Sequence, residues 1–306
     1  MKRERWIKMA IFAMGIGAII SSCSKEEDMI ADFENSELKT SEYTVRPDFA
    51  SLDTRPAAVI AQHQMYRTSP VEVISLKKKP PKPPVDPDPG EDPTDPPVTG
   101  NGKYALVIGI SDYDGTANDL TYCDDDAMDW KSLLQSEGYS VTVLTDQNAT
   151  AANIEAKINE LASNCVEGAE IAFCYSGHGS RGNIISSDLY YISASWFQTK
   201  FANSLSSKMM FCFDACQIGE MATALNASGR VVAVASSTNT YSYDGDASMQ
   251  NGVFTYYQMV GFNNLNYTFL EPDCDYAIVE MKAWAKARRL RVAPSYVDSF
   301  SGDFDL

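Results

Sequence analysis

Apolar positions in the C-terminal two thirds of the chain fall into two alternating patterns. Short apolar-rich runs at Tyr104–Ile110, Tyr139–Leu144, Ala169–Tyr175, Met209–Phe213 and Arg230–Ser236 read as strands, and the nearly unbroken Met209–Phe213 fits one buried on both faces, as in a parallel sheet. Stretches with helical spacing separate them. Across Asp124–Glu137, the residues Ala127, Trp130, Leu133 and Leu134 share one face, and Gly138 closes the helix. Thr150 stands at the N-cap of a helix carrying Ile154, Ile158 and Leu161. Ala194–Leu205, Gly252–Val260 and Tyr276–Leu290 also read as helices, and Leu189–Ile192 as a short edge strand. This alternation predicts an α/β fold, a mostly parallel sheet with helices on both faces.

Two of the buried runs end in polar residues able to do chemistry. Ala169–Tyr175 runs into Ser176-Gly-His178-Gly-Ser180, and Met209–Phe213 into Asp214-Ala-Cys216. Open α/β sheets place their sites at the C-terminal ends of strands, so both motifs are expected at one edge. A thiol needs a base or an electropositive setting to act as a nucleophile. The chain has two histidines, and His63 lies upstream of a proline-rich segment, so His178 is the expected base for Cys216. Gly177 and Gly179 flank it, so the backbone there is free to take positive φ and to come close to a ligand.

These motifs resemble those of metacaspases and bacterial caspase-like peptidases. The likeness spans about Lys103 to Phe262. Caspases themselves place a His about 50 residues before Gln-Ala-Cys-x-Gly. Here the separation is 38 residues, Asp214 replaces the Gln, and Ile218 precedes Gly219, departures that point towards metacaspases. The resemblance implies a caspase-like three-layer sandwich and a cysteine endopeptidase with a His178–Cys216 dyad. It also implies that the backbone N–H groups of Gly179 and Cys216 stabilise the oxyanion. Leu120-Thr-Tyr-Cys123-Asp-Asp-Asp126-Ala127 matches a further family motif. By that match Cys123, Asp126, Ser176 and Asp214 line the primary specificity pocket. Two carboxylates in one pocket repel unless a cation separates them, so the substrate expected is a protein or peptide with Arg or Lys at P1. Acidic P1 would need a basic lining, for which Arg181 is the only nearby residue. A non-catalytic homologue acting as a surface binding module is the other alternative, and the presence of both dyad residues argues against it.

The N-terminal third is organised differently. Residues 1–22 have a basic start at Lys2, Arg3, Arg5 and Lys8 and an apolar core at Met9–Ile20, too short for a bilayer span. Ile20-Ser-Ser-Cys23 resembles a lipobox, which implies a signal peptide, lipidation of Cys23 and anchoring of an exported lipoprotein at the outer membrane. Lys25-Glu26-Glu27 resembles the surface-export signal of some Gram-negative lipoproteins. Residues 23–76 read as a spacer, with Val71–Leu76 as one candidate strand. Residues 77–100 form a linker holding nine of the chain's 14 prolines between Pro80 and Pro97, which favours extended polyproline II. Residues 101–306 are the folded peptidase domain. Lys77-Lys78-Lys79 either solvates the linker or offers a self-cleavage site after Lys77 or Lys78 that would release it, Pro80 disfavouring cleavage after Lys79.

Charge, cysteines and acidic clusters narrow the reading. Removing residues 1–22 takes away four cations and one anion and moves the net charge from −16 to −19. Nucleic acid, which needs basic patches, is not an expected partner. Beyond Cys23 six cysteines remain. Cys174 and Cys212 belong to predicted core strands, Cys212 and Cys216 are too far apart along a strand to bridge, and Cys165 and Cys274 stay open. Asp112-Tyr-Asp114-Gly115 lacks EF-hand spacing. Many metacaspases are activated by calcium through aspartates after the His strand. Only Asp188 falls there, without the paired-Asp motif that follows in the family. No cofactor is expected for the chemistry itself.

Overall fold

The structure, a computed structural model, describes residues 102–114 and 118–306. The expected lipobox, spacer, Val71–Leu76 strand and proline linker lie outside the described residues. The central sheet has six strands in the order β2-β1-β3-β7-β8-β9. These are β1 (Lys103–Gly109), β2 (Ser140–Thr145), β3 (Glu170–Ser176), β7 (Lys208–Asp214), β8 (Arg230–Val234) and β9 (Ser295–Asp298). The first five pair in parallel, and β9 closes the edge antiparallel to β8. The chain is therefore a mostly parallel α/β sandwich of the caspase type.

Period-two alternation along the strands divides the core into two layers. Phe173 and Tyr175 of β3, with Phe211 and Phe213 of β7, face helices α2 (Ala151–Ser163), α3 (Ala194–Lys200) and α4 (Glu220–Leu225). Ala172 and Cys174, with Met210 and Cys212, face α1 (Cys123–Ser136), α5 (Val253–Asn264) and α6 (Leu270–Ala287). The second face of the sheet carries small residues. Large helix side chains such as Trp130, Phe254 and Trp284 fill the space they leave. Among the described residues, no helix is long and apolar enough to cross a membrane.

Most expected elements appear within a few residues, and the departures have local causes. Gly138 has φ 87°, and Thr150 accepts from the Asn153 N–H, as their positions implied. The Leu189–Ile192 strand is instead β6 (Tyr191–Ser193), the edge of a separate three-stranded antiparallel sheet with β4 (Gly179–Ser180) and β5 (Asn183–Ile185). Leu189 itself is a turn residue with φ 66°, its N–H donating to the Ser186 carbonyl. Helix α3 stops at Lys200. The Phe201 carbonyl beyond it accepts from the buried Arg230 guanidinium, which also reaches the Leu225 carbonyl. Helix α6 starts six residues earlier than its apolar pattern suggested, because Pro272 sits in the first turn, where no N–H is needed. Strand β9 has no apolar run to announce it. Its four residues are exposed or half-buried.

One buried group lacks the partner that chemistry asks of it. Asp273, on the first turns of α6, is fully buried, and neither carboxylate oxygen has a hydrogen-bond partner. Burial lifts its pKa to about 9, so the carboxyl is held as the neutral acid. A folded pKa above the unfolded value of 3.8 means the native state binds the extra proton between those limits. Its stabilising contribution is complete below the unfolded pKa and declines as pH rises towards the folded one. Thermal denaturation of wild type and Asp273→Asn from pH 5 to pH 9 checks this. Wild type should lose Tm relative to the variant as pH rises, and parallel curves would contradict it.

Candidate active site

Strands β3 and β7 pair in parallel with Ser176 opposite Asp214. Each strand ends at that register pair, and the residue two positions on is His178 in one chain segment and Cys216 in the other. Both side chains line one small cleft at the C-terminal edge of the sheet. Six cysteines are free among the described residues; five are buried and Cys216 alone is partly exposed. Its Sγ lies 3.5 Å from the Ser242 carbonyl oxygen. The turn carrying it is fixed from behind by the buried Ser236, whose hydroxyl donates to the Ala215 carbonyl and accepts from the Ile218 N–H.

The glycines around His178 serve a purpose other than the expected one. Neither Gly177 nor Gly179 has positive φ; that conformation falls on Arg181, Gly182 and Gln217. What glycine supplies is room. A Cβ on Gly177 would stand 2.6 Å from the hydroxyls of Tyr113 and Tyr175, and one on Gly179 would stand 2.4 Å from the Cys216 carbonyl and 3.2 Å from its nitrogen. The two motifs thus pack backbone against backbone.

Several groups hold the imidazole. The His178 N–H donates to the Tyr113 hydroxyl at 2.8 Å, and the Tyr113 ring lies 4.7 Å from the imidazole, centroid to centroid. Tyr175 Oη is 2.7 Å from the His178 carbonyl. His178 Nε2 is 2.7 Å from the Asn118 carbonyl oxygen. A carbonyl only accepts, so Nε2 carries the proton and Nδ1 of the neutral ring is the basic nitrogen. Neither Tyr113 nor Asn118 stood out in the sequence, since each acts at a distance of 60 residues or more.

The expected pocket residues come together, in a different arrangement. Cys123, Ser176 and Asp214 line the cleft, but Asp126 lies behind it at 0 % exposure. Asp126 accepts from Ser176 Oγ at 2.6 Å, Asn251 Nδ2 at 2.8 Å and the Gly252 N–H at 3.0 Å. Asp214 accepts from the Ser242 hydroxyl and from the Thr255 N–H and hydroxyl, at 3.0 and 3.1 Å. Gly252 caps both carboxyls: a Cβ there would meet Asp214 Oδ2 at 2.5 Å and Asp126 Oδ2 at 2.8 Å. Gly252 and Thr255 belong to the start of α5, where unpaired N–H groups and the helix dipole favour negative charge. Burial nevertheless pushes both carboxyls above the usual range, and for Asp126 the neighbouring Asp214 adds to it.

Asp244 joins them on the cleft wall, 8 % exposed, and accepts from the Thr121 N–H. Nothing in the spacing of Asp244-Gly245-Asp246 signals a place in the pocket. Burial raises the Cys123 thiol pKa well above its ordinary value, with Asp244 and Asp126 contributing next. Leu120 is the one aliphatic side chain among the acidic and small residues of the wall. The cleft measures about 30 Å³, room for about one or two waters and far less than an arginine side chain.

The other acidic clusters are tied to backbone. Asp188 accepts from the Ala151 N–H and Ser186 Oγ, and Asp146 from the Ser111 and Asp112 N–H groups. Among the described residues no group of three or more His, Cys, Asp or Glu is placed to hold a metal ion.

Comparison with known proteins agrees with this fold. A family model described as the caspase domain matches residues 102–266, just over half of the chain. The crystal structure of protein GSU0716 from Geobacter sulfurreducens superposes with a TM-score of 0.52 at 16% identity, covering 67% of this chain and 97% of that one. That degree of identity speaks for the fold alone. A search of curated proteins gave no match. From strand order to family model, the chain belongs to the caspase domain family.

Proposed function

We propose that the protein is an exported cysteine endopeptidase that cleaves after Arg or Lys, with Cys216 as nucleophile and His178 as acid and base. The observation that carries the reading is the partly exposed Cys216 sharing a cleft with the domain's single histidine and a carboxylate wall. His178 Nδ1 takes the thiol proton, and the Cys216 sulfur attacks the scissile carbonyl carbon. The backbone N–H groups of Gly179 and Cys216 receive the developing oxyanion. The imidazolium then protonates the leaving amine as the C–N bond breaks, leaving a thioester. Water, deprotonated by His178, attacks the thioester and frees the thiol. The Asn118 carbonyl supports the charged ring through Nε2–H.

Asp214 and Asp244 supply the charge that meets a P1 guanidinium or ammonium, and Asp126 holds Ser176 and the start of α5 in place behind them. An arginine needs more room than the cleft offers, so entry requires the cleft wall to open. Lipid on Cys23 anchors the domain to the membrane through residues 24–100, and the chemistry requires no cofactor. Calcium activation draws no support from Asp188, whose carboxylate caps α2.

Four outcomes test the proposal. Cys216→Ala and His178→Ala should each lose turnover of an arginyl fluorogenic peptide by about 10³-fold or more while keeping wild-type Tm; normal turnover by either purified variant sinks the dyad. Asp214→Asn should lower kcat/KM for Arg and Lys substrates by about 30-fold or more, the loss from unpairing a buried charge. Because the pocket carboxyls resist ionisation, affinity for a non-cleavable arginyl inhibitor should rise with pH until they are ionised. Preference for Asp at P1, or affinity that falls over that range, contradicts the pocket. A palmitate analogue should label wild type in cells and spare Cys23→Ala, and equal labelling removes the anchor.

A further inference from the structure

The cations of the folded domain are unevenly spent. Lys103, Lys157, Lys200 and Lys208 pair with carboxylates, and Arg230 is bound by two carbonyls. Five of its 12 lysines and arginines are crowded into Lys282–Arg291, at the end of α6. Arg288 stacks on Trp284 and pairs with Asp246 at 3.7 Å. Lys282, Lys286, Arg289 and Arg291 are exposed and form no ion pair among the described residues. Together with Leu290 and Val292 they line an open depression of about 430 Å³.

Folding does not account for this crowding. The helix dipole favours Lys286, in the last turn, but not Lys282 one turn earlier. Lys282 and Lys286 repel as an i, i+4 pair, and Lys286 and Arg289 are three apart. Arg289 has φ 57° just past the helix, a position that favours glycine or asparagine. A cationic surface kept at such cost, on a chain of net charge −16, calls for an anionic occupant.

We propose that the occupant is the acidic proline-rich segment of the same chain, Asp86–Asp95. It carries Asp86, Asp88, Glu91, Asp92 and Asp95, with no cation between Lys82 and Lys103. Reach supports the assignment. The start of α6 lies at the N-terminal edge of the sheet: the Leu270 N–H donates to the Phe304 carbonyl, and Lys208 at the start of β7 holds Asp305. Strand β1 begins at that same edge. The basic end of α6 is therefore one helix length away, about 27 Å along its axis. Helix α6 packs against β9, and four strand spacings separate β1 from β9, about 19 Å across the sheet. The combined path of about 33 Å needs about 11 residues of polyproline II at about 3.1 Å each. Asp95 to Asp86 stand 7 to 16 residues before Gly102, which brackets that length. Tethering gives the pair a high effective concentration, so individually weak contacts suffice. Docking shortens the free leash to residues 24–85.

Zero-length carbodiimide crosslinking of the full chain in detergent tests the contact, since it joins touching carboxylates and lysines. The Lys208–Asp305 pair, at 2.7 Å, is the internal control, and Lys131, outside the patch, sets the background. Lys282 or Lys286 should crosslink to Asp86–Asp95 within one copy, as judged by mixing light and heavy protein. The yield should fall about tenfold in 1 M salt, where surface attraction is screened within about 3 Å. It should fall at least fivefold in Arg289→Glu/Arg291→Glu, which leaves both lysines available to react and, being at exposed positions, should keep wild-type Tm. Yields at the Lys131 background, yields indifferent to the double substitution, or crosslinks found only between copies would each overturn the proposal.

Discussion

The parallel pairing of β3 with β7, Ser176 opposite Asp214, is the constraint on which the site depends. A slip of one residue would exchange the two faces of a strand. Phe211 and Phe213 would move to the layer built for Met210 and Cys212, and the motif after the strand would shift with them. The aromatic packing of Phe173 against Phe211, Phe213 and Phe197 opposes that slip. Packing energy in the core thus fixes chemistry at the rim. Gly179 converts the register into contact, because any larger residue would hold the His and Cys segments apart, and Gly177 leaves room for the Tyr113 and Tyr175 hydroxyls.

A second constraint is electrostatic. Two buried carboxyls lie side by side beneath one glycine at the start of α5. Each is satisfied by hydroxyls, an amide and backbone N–H groups rather than by a basic residue. Such donors reduce the cost of burying the acids without neutralising them, and burial still raises both pKa values. The arrangement leaves a deficit of positive charge at the cleft wall. At the distal end of α6 the opposite deficit occurs, where unpaired cations face solvent. Arg288 links these regions through Asp246, two residues from Asp244.

Much of the fold was written in local patterns. Apolar runs marked β1, β3, β7 and β8 because both faces of each are largely buried, a looser apolar alternation marked the edge strand β2, and helical spacing marked α1, α2 and α5. Strand β9, the β4–β5 hairpin and α4 escaped, being two to six residues long and held by partners distant in sequence. Boundaries moved where the tertiary structure took a helix's last carbonyls, as Arg230 does at Phe201.

The sequence by itself determined the chemical vocabulary: one histidine in the domain, a cysteine after a buried strand, and aspartates at motif positions. Those are covalent facts about single residues and their immediate neighbours. Only the tertiary structure decided how they act. It singled out Cys216 as the partly exposed thiol among six, fixed the proton on His178 Nε2 through Asn118, and withdrew Asp126 behind Gly252 while bringing Asp244 to the wall. Exposure, tautomer and burial depend on atoms that meet across 60 to more than 120 residues of chain. No local pattern encodes such meetings, because they arise when the sheet closes and its two helical layers pack.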